Sequence, residues 1–417
     1  MELIVRKYGG TSLDSIDKIK DIALKTKNDI KSNKKIVLVV SAMGKSTDEL
    51  LRKAELISKN PNNRELDLLM SSGEIISSSL MAIALEDIGV QSKSLTGFQA
   101  GIDTNSSFGH AEIQSINNTR IKEAINNNNT LVIAGFQGYN EDFEITTLGR
   151  GGSDTTAVAI AASIGASICE IYTDVKGIYT ADPNIIKNAK KLNFLPYEDM
   201  LELANYGAKM HPRAIELGMY YNIPLVIKSS FDNNSGTLIC NYEDIKKLKN
   251  GGLILNEITE NRNKVSGVTS EGNISKITIK NIPDKPGIAA KVFEPLSNEG
   301  INVDVIVQNL STDDKTDLTF TVKNEELAQA IKIVNEKSID IEFESILSGK
   351  GYGKISIIGS GIQNSPGYAA KFFNALSDSD INIQMITTSD IRITCLINDK
   401  DLGKALKKVH DVFGLYK

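Results

Sequence analysis

The sequence is short of the side chains that most enzymes use for proton transfer and metal binding. Its 417 residues include three cysteines, Cys169, Cys240 and Cys395, and three histidines, His110, His211 and His410. The cysteines are far apart and show no paired spacing, which argues against a disulfide framework or a zinc site and for a reducing compartment. The histidines show no metal-ligand spacing, and no Cys–His or Ser–His–Asp constellation is visible. Basic charge is not in excess either: the formal net charge is −5 and the isoelectric point about 5.5. Nucleic acid and anionic membranes are therefore not expected partners, and any phosphate must be held by local groups. Apolar runs such as Ala157–Ile164 fall far short of a membrane span, so the expectation is a soluble cytoplasmic protein.

The apolar content, 41% of a chain this long, is enough for two to three domains. Residues 1–230 alternate short β-branched runs with helical stretches. Ile4–Arg6, Ile36–Val40, Leu131–Ala134, Glu170–Thr173 and Leu225–Ile227 read as buried parallel strands, and Ser15–Asn28 and Thr155–Ile164 as helices. That alternation predicts a doubly wound α/β layer with ligands at the carboxyl ends of the strands. Lys246–Gly252 is a candidate linker. Beyond it, the segment from Pro286 to Ile306 recurs 80 residues later from Pro366 to Ile386, with eleven of 21 positions identical. This duplication predicts two small ferredoxin-like βαββαβ modules. The expected domains are 1–245, 266–343 and 349–417.

One stretch carries the densest chemistry. Thr147 to Ala166 runs from a glycine-rich turn, with Gly149, Arg150, Gly151 and Gly152, into an apolar helix headed by Ser153 and Asp154. Such a turn can aim main-chain N–H groups at an anion, though a capped core helix would look the same. Lys7-Tyr8-Gly9-Gly10 at the end of the first strand reads as a second anion cradle. Gly44-Lys45-Ser46 does not complete a phosphate-binding loop, because Val39 stands where its first glycine is required. Ser41, Thr47 and Asp48 nevertheless follow the second strand, where a ligand belongs. Gly73-Glu74 reads as the opening of a helix over Ile75–Leu85, with Glu74 complementing its dipole. After the strand at 170–173, Asp174, Tyr179 and Asp182 could line a nucleotide, and Lys209 offers a further cation. A site without a general base suits phosphoryl transfer to an acceptor already ionised at neutral pH, such as a carboxylate, carried by lysines, positioning and Mg2+.

The motifs KYGGTS, VVSAMGKSTD, GFQG, LGRGGSDTTAVA and YTDVKGIYTADP, in this order and followed by two PGxAAK modules, resemble the aspartate kinases (aspartokinases) of the amino-acid kinase family, with tandem ACT domains. The resemblance spans essentially the whole chain. It implies ATP-dependent phosphorylation of the side-chain carboxylate of L-aspartate, giving 4-phospho-L-aspartate at the head of lysine, threonine and methionine synthesis. Lys7 would bridge the phosphates and Asp154 would organise the catalytic lysines. Arg150, with Ser41, Thr47, Gly151, Gly152 and Ser153, would hold aspartate, and Glu74 would take its ammonium. Lys7, Tyr8, Gly9, Gly10, Thr173, Asp174, Tyr179, Asp182 and Lys209 match ATP-contacting positions. The chain departs from the family at Asn184, where arginine is usual, and in a segment from Lys209 to Arg213 one residue shorter than usual. In the repeats, the matching effector positions are Asp284, Gly287, Ala289, Asn302, Val303, Asp304 and Gln308, with Asn382, Ile383, Ser389 and Asp390 of the second copy. Lysine, threonine or both would be the feedback ligand. No methionine lies between Met219 and Met385. A separately started regulatory chain is thus not expected, and a homodimer or higher homo-oligomer through the ACT domains is. The rival expectations are a kinase of another small acid, such as glutamate or acetylglutamate, and a non-catalytic amino-acid sensor.

Overall fold

The computed structural model describes residues 2–205, 210–232, 234–241, 244, 264–309, 314–337, 341–362 and 365–416. Lys209 and the linker expected at 246–252 lie outside the described residues. The chain divides into two units, Met1–Ile178 with Lys191–Ile258, and Tyr179–Lys190 with Thr259–Lys417.

The first unit follows the expected alternation. Its elements are β1 (Glu2–Tyr8), α1 (Ile16–Lys31), β2 (Lys34–Val40), α2 (Ser46–Ile57), α3 (Asn63–Asp87), β3 (Ser92–Leu95), β4 (Ile102–Thr104), β5 (Ile113–Ile116), α4 (Thr119–Asn126), β6 (Thr130–Ala134), β7 (Gln137–Tyr139), β8 (Ile145–Thr147), α5 (Gly152–Ile164), β9 (Ile168–Thr173), β10 (Phe194–Leu195), α6 (Tyr197–Asn205), α7 (Pro212–Tyr220), β11 (Leu225–Ser229) and β12 (Thr237–Ile239). One sheet has the order β10-β12-β11-β9-β1-β2-β6-β3, and a smaller one β5-β4-β7-β8. In the large sheet only β11 and β12 pair antiparallel. Every residue of β6 and the run Ile36–Val40 of β2 are buried, as expected of parallel strands covered on both faces.

Register puts the site together. Tyr8 lies opposite Val40 on one side and Tyr172 on the other, and Val40 in turn opposite Ala134. The turns after β1, β2, β6 and β9 therefore leave the sheet at one level, at its carboxyl edge, where doubly wound folds bind ligands.

Helix α3 corrects one expectation. It does not start at Gly73-Glu74 but ten residues earlier, where the Asn62 side chain caps it by accepting from Arg64 N. Gly73 sits inside the helix because a side chain there would come within 2.8 Å of Ala42 Cβ. The glycine marks a close approach rather than a helix end. At 25 residues α3 is also long and apolar enough to cross a membrane. Its acids Asp67 and Glu74 are instead buried and hydrogen-bonded to neighbouring loops of the same unit, the behaviour of a core helix.

In the second unit the two repeats share one six-stranded sheet of order β14-β15-β13-β16-β18-β17. Its strands are β13 (Gly267–Pro283), β14 (Ile306–Gln308), β15 (Lys315–Lys323), β16 (Ser345–Ile358), β17 (Met385–Thr388) and β18 (Arg392–Asn398). Helices Ile288–Asn298, Leu327–Lys337, Tyr368–Ser377 and Leu402–Val412 complete the βαββα pattern of each copy. β13 and β16 run through both copies. Residues 276–280 pair with 345–349, while 267–271 pair with 354–358. Val265 and Val268, which precede the first repeat, accordingly pack with Ile355 and Ile357 of the second. β14 begins at Ile306 and β17 at Met385, downstream of Asn302 and Asn382. Before β14 the pairing is irregular, with Thr321 accepting from Asp304 N through its carbonyl and from Val305 N through its hydroxyl. The excursion 179–190 belongs to this unit: Ala181 and Ile186 join its core, and Thr180 Oγ1 lies 3.0 Å from His410 Nε2.

Candidate active site

The turn after β1 is built on its neighbours. Gly9 N donates to Tyr172 O, Ser41 N to Tyr8 O and Gly44 N to Gly10 O, so the ends of β9, β1 and β2 are laced together by main-chain bonds. Tyr8 and Tyr172 stack beneath them at 4.7 Å, Tyr8 buried and Tyr172 half-buried. This fixes Lys7, Tyr8, Gly9, Gly10, Ser41, Thr173 and Asp174 along one edge. Thr173 Oγ1 donates to Asp174 Oδ1 at 3.1 Å.

The second cradle is the start of α5. Gly151 adopts φ +69° as N-cap, and a side chain there would collide with the His211 ring at 2.3 Å. No side chain caps this helix; Gly152 N and Asp154 N donate to the carbonyls of Gly149 and Gly151, and Ser153 N keeps capacity for an anion. Gly152, Ser153 and Asp154 are buried in that turn, while Arg150 is exposed at the tip of the preceding loop. The cradles meet where Lys7 Nζ lies 2.6 Å from Asp154 Oδ1, both side chains 12% exposed. At that distance the carboxylate holds the ammonium at one point between the two cradles.

Glu74 enters from α3. Its Oε1 accepts from Ala42 N at 3.0 Å, and its Oε2 is buried with no hydrogen-bond partner. Burial pushes this carboxyl up to about 7, against the pull of the Ala42 N–H. A carboxylate oxygen buried without a donor is costly unless a ligand supplies one, and an ammonium group is the ligand that fits. Thr47, in the first turn of α2, is half-buried.

Other expected positions belong to the second unit. Tyr179, half-buried, and Asp182, exposed, belong to the second unit, where Asp182 Oδ1 accepts from Asn184 N at 2.8 Å. In that unit Asn302, Val303, Asp304 and Gln308 lie along the β14 edge, Gly287 and Ala289 at the start of the helix after β13, and Gln308 Nε2 donates to Asp284 Oδ1 between them. Asn382, Ile383, Ser389 and Asp390 flank β17, the opposite edge. A single chain does not bring the two sets to one place. Asp304 is ion-paired to the buried Lys354, which also meets Glu271 Oε2 at 2.7 Å.

Three residues were not singled out from the sequence. Asp67 holds the segment before the Arg150 turn, Arg213 Nη1 donates to Leu148 O at 2.8 Å, and His211 packs on Gly151. The available signals were a lone acid inside an apolar helix and the pair His211 and Arg213 beside Pro212. Among the described residues, no group of three or more histidine, cysteine or acidic side chains could hold a metal.

Comparison with known proteins accords with this arrangement. The amino acid kinase family profile matches residues 2–229, and an ACT domain profile matches 278–337 and 355–413. Aspartokinase of Corynebacterium efficiens is 41% identical over all of this chain and 97% of its own length. Aspartokinase 2 of Bacillus subtilis is 41% identical over all of this chain and 99% of its own. The crystal structure of E. coli aspartokinase III in complex with aspartate and ADP superposes with a TM-score of 0.79 at 24% identity, over 99% of both chains, which establishes the shared fold. With a kinase profile over more than half the residues and full-length relatives at this identity, the chain belongs to the aspartokinases, amino acid kinases that carry C-terminal ACT domains.

Proposed function

We propose that the first unit transfers the γ-phosphoryl group of ATP to the side-chain carboxylate of L-aspartate, and that the second unit binds a feedback amino acid, lysine, threonine or both. The observation that carries the catalytic reading is the Lys7–Asp154 contact, which joins the two anion cradles. Phosphoryl transfer needs positioning and neutralisation of charge more than proton abstraction, and aspartate arrives already ionised. Lys7 takes the charge that develops on the transferred group, and Asp154 aims it. Ser153 N in the first turn of α5 and Gly10 N supply fixed donors, the turn at Gly9 lets the backbone approach the phosphates, and Thr173 and Asp174 border the nucleotide. Arg150 clasps the α-carboxylate of aspartate by two parallel hydrogen bonds, and Glu74 Oε2 receives its ammonium, with Ser41, Thr47 and Ser153 beside them. Tyr179, Asp182 and Lys209 remain nucleotide contacts in this reading.

Mg2+ enters with the nucleotide. The donor set suits that role, since Asp154 is a carboxylate at the junction of the two cradles and would hold the ion together with the phosphate oxygens. Bound there, the ion would supply positive charge that neutralises the phosphates.

The effector residues at the two sheet edges complete one another when two chains meet through their ACT modules, so the working form is a homodimer or larger homo-oligomer in the cytoplasm, feeding lysine synthesis. The catalytic reading is tested by ADP release with a panel of acids. L-aspartate should support turnover, and L-glutamate and N-acetylglutamate should be poor. Preference for either of the latter, or ATP turnover independent of any acid, overturns it.

A further inference from the structure

Asp67 is fully buried on α3, seven residues before Glu74 and so on the same face two helical turns away. Its carboxylate is occupied entirely by neutral donors in two loops. Oδ2 accepts from Thr147 N at 2.7 Å and Gly109 N at 2.9 Å, and Oδ1 accepts from Thr147 Oγ1 at 2.7 Å. Thr147 closes β8 and stands three residues before Arg150. The same junction is held from its other side: Ala111 N donates to Thr147 O, and the Arg213 guanidinium donates to Leu148 O and Ala111 O. The exposed Arg150 thus rides on a turn whose stem is anchored by one buried carboxylate and one guanidinium.

A buried carboxylate is a costly anchor, and an apolar residue would fill the same helix position without desolvating a charge. What the charge adds is direction, because three short bonds to two loops fix where Thr147 sits relative to α3. The same helix carries Glu74. About 10 Å of rigid helix therefore separates the group that sets the Arg150 turn from the group with the unpartnered oxygen, at 1.5 Å per residue. From this geometry we infer that Asp67 is a positioning residue for the amino-acid substrate: it sets the spacing between Arg150 and Glu74, and so the fit of a substrate carrying an α-carboxylate and an α-ammonium. The inference rests on the placement of aspartate between Arg150 and Glu74 given above.

The test is a double-mutant cycle on the full-length enzyme with Asp67→Asn and Arg150→Ala. Asparagine has the shape of aspartate but presents an NH2 where a donor already points, so at least one loop bond is lost. KM for aspartate should rise about tenfold or more in Asp67→Asn while KM for ATP stays within about twofold, as expected for lost substrate orientation. The two substitutions should be markedly less than additive in KM for aspartate, because each disables the same contact. A merely structural role predicts a lowered thermal midpoint with both KM values moved alike, or full additivity, and either result overturns the inference. If Asp67→Asn does not fold, Thr147→Val and Thr147→Ser take its place: valine removes the hydroxyl donor to Oδ1 and serine restores it. Aspartate KM should then rise in the first and return in the second, and equal behaviour of the two would overturn the inference. If Arg150→Ala alone leaves aspartate KM unchanged, the placement of the substrate has failed rather than the role of Asp67.

Discussion

The Lys7 ammonium lies 2.6 Å from Asp154 Oδ1, across the gap between the end of β1 and the first turn of α5. The two residues are 147 positions apart in sequence and are brought together because β1 is central in the sheet, between β9 and β2. A largely buried pair of this kind owes its persistence to function more than to stability, since desolvation offsets most of the attraction. What it provides is a lysine ammonium held at one point between the two cradles. That is the requirement for a cation that must meet a charge appearing only during transfer.

Glu74 predicts a pH dependence. Its carboxyl in the empty site is raised from 4.5 to about 7, so between these values the folded protein holds a proton that the unfolded chain has released. This group therefore lowers the stability of the ligand-free enzyme as pH rises through that window. Aspartate binding has the opposite sign, because its ammonium requires the ionised form. KM for aspartate should rise about tenfold between pH 8 and pH 6, with KM for ATP flat. In Glu74→Gln it should be high and independent of pH over that range, as initial rates in a pH series would show.

Gly73 predicts a reversal of helix propensity. Alanine is the better helix former by about 1 kcal/mol, yet a methyl group here meets Ala42 Cβ at 2.8 Å. Gly73→Ala should therefore lose roughly 1–3 kcal/mol of stability through overpacking, and should weaken aspartate binding by displacing Glu74 from Ala42 N. Thermal or urea unfolding checks the first, and aspartate titration the second.

Lys354 predicts an effect confined to regulation. It is 4% exposed and neutralised by Glu271 and Asp304, and those ion pairs hold its pKa up against the lowering effect of burial. Lys354→Met should cost roughly 1–3 kcal/mol, less than breaking a fully buried pair because both carboxylates are partly solvated. It should also change the concentration of lysine or threonine needed for inhibition, since Asp304 is freed, while uninhibited turnover stays near the parent value. Unfolding curves together with inhibitor titrations separate the two effects.

Much of this was legible in the sequence for identifiable reasons. β-branched runs such as Ile36–Val40 announce buried parallel strands, and strand-end motifs such as Lys7 to Gly10 sit where a doubly wound sheet must place its ligands. Gly73 was misleading because a glycine that admits a neighbouring loop looks the same as one that ends a helix. Asp67 escaped notice because its partners are main-chain groups 42 and 80 residues away. The shared β13–β16 ribbon was hidden as well, since a repeat in sequence does not reveal that a strand before the first copy completes the second. Tyr179 and Asp182 read as continuous with Asp174, yet the chain leaves the kinase unit between them, at Tyr179.

The most direct measurement is turnover of Lys7→Ala with ATP and L-aspartate, alongside calorimetric titration of each substrate. Removing a cation that acts on the developing charge should lower kcat by about a hundred- to a thousandfold. Aspartate affinity and the folded structure should persist. A variant that retains kcat within about tenfold of the parent would contradict a phosphoryl-transfer site organised by the Lys7–Asp154 pair.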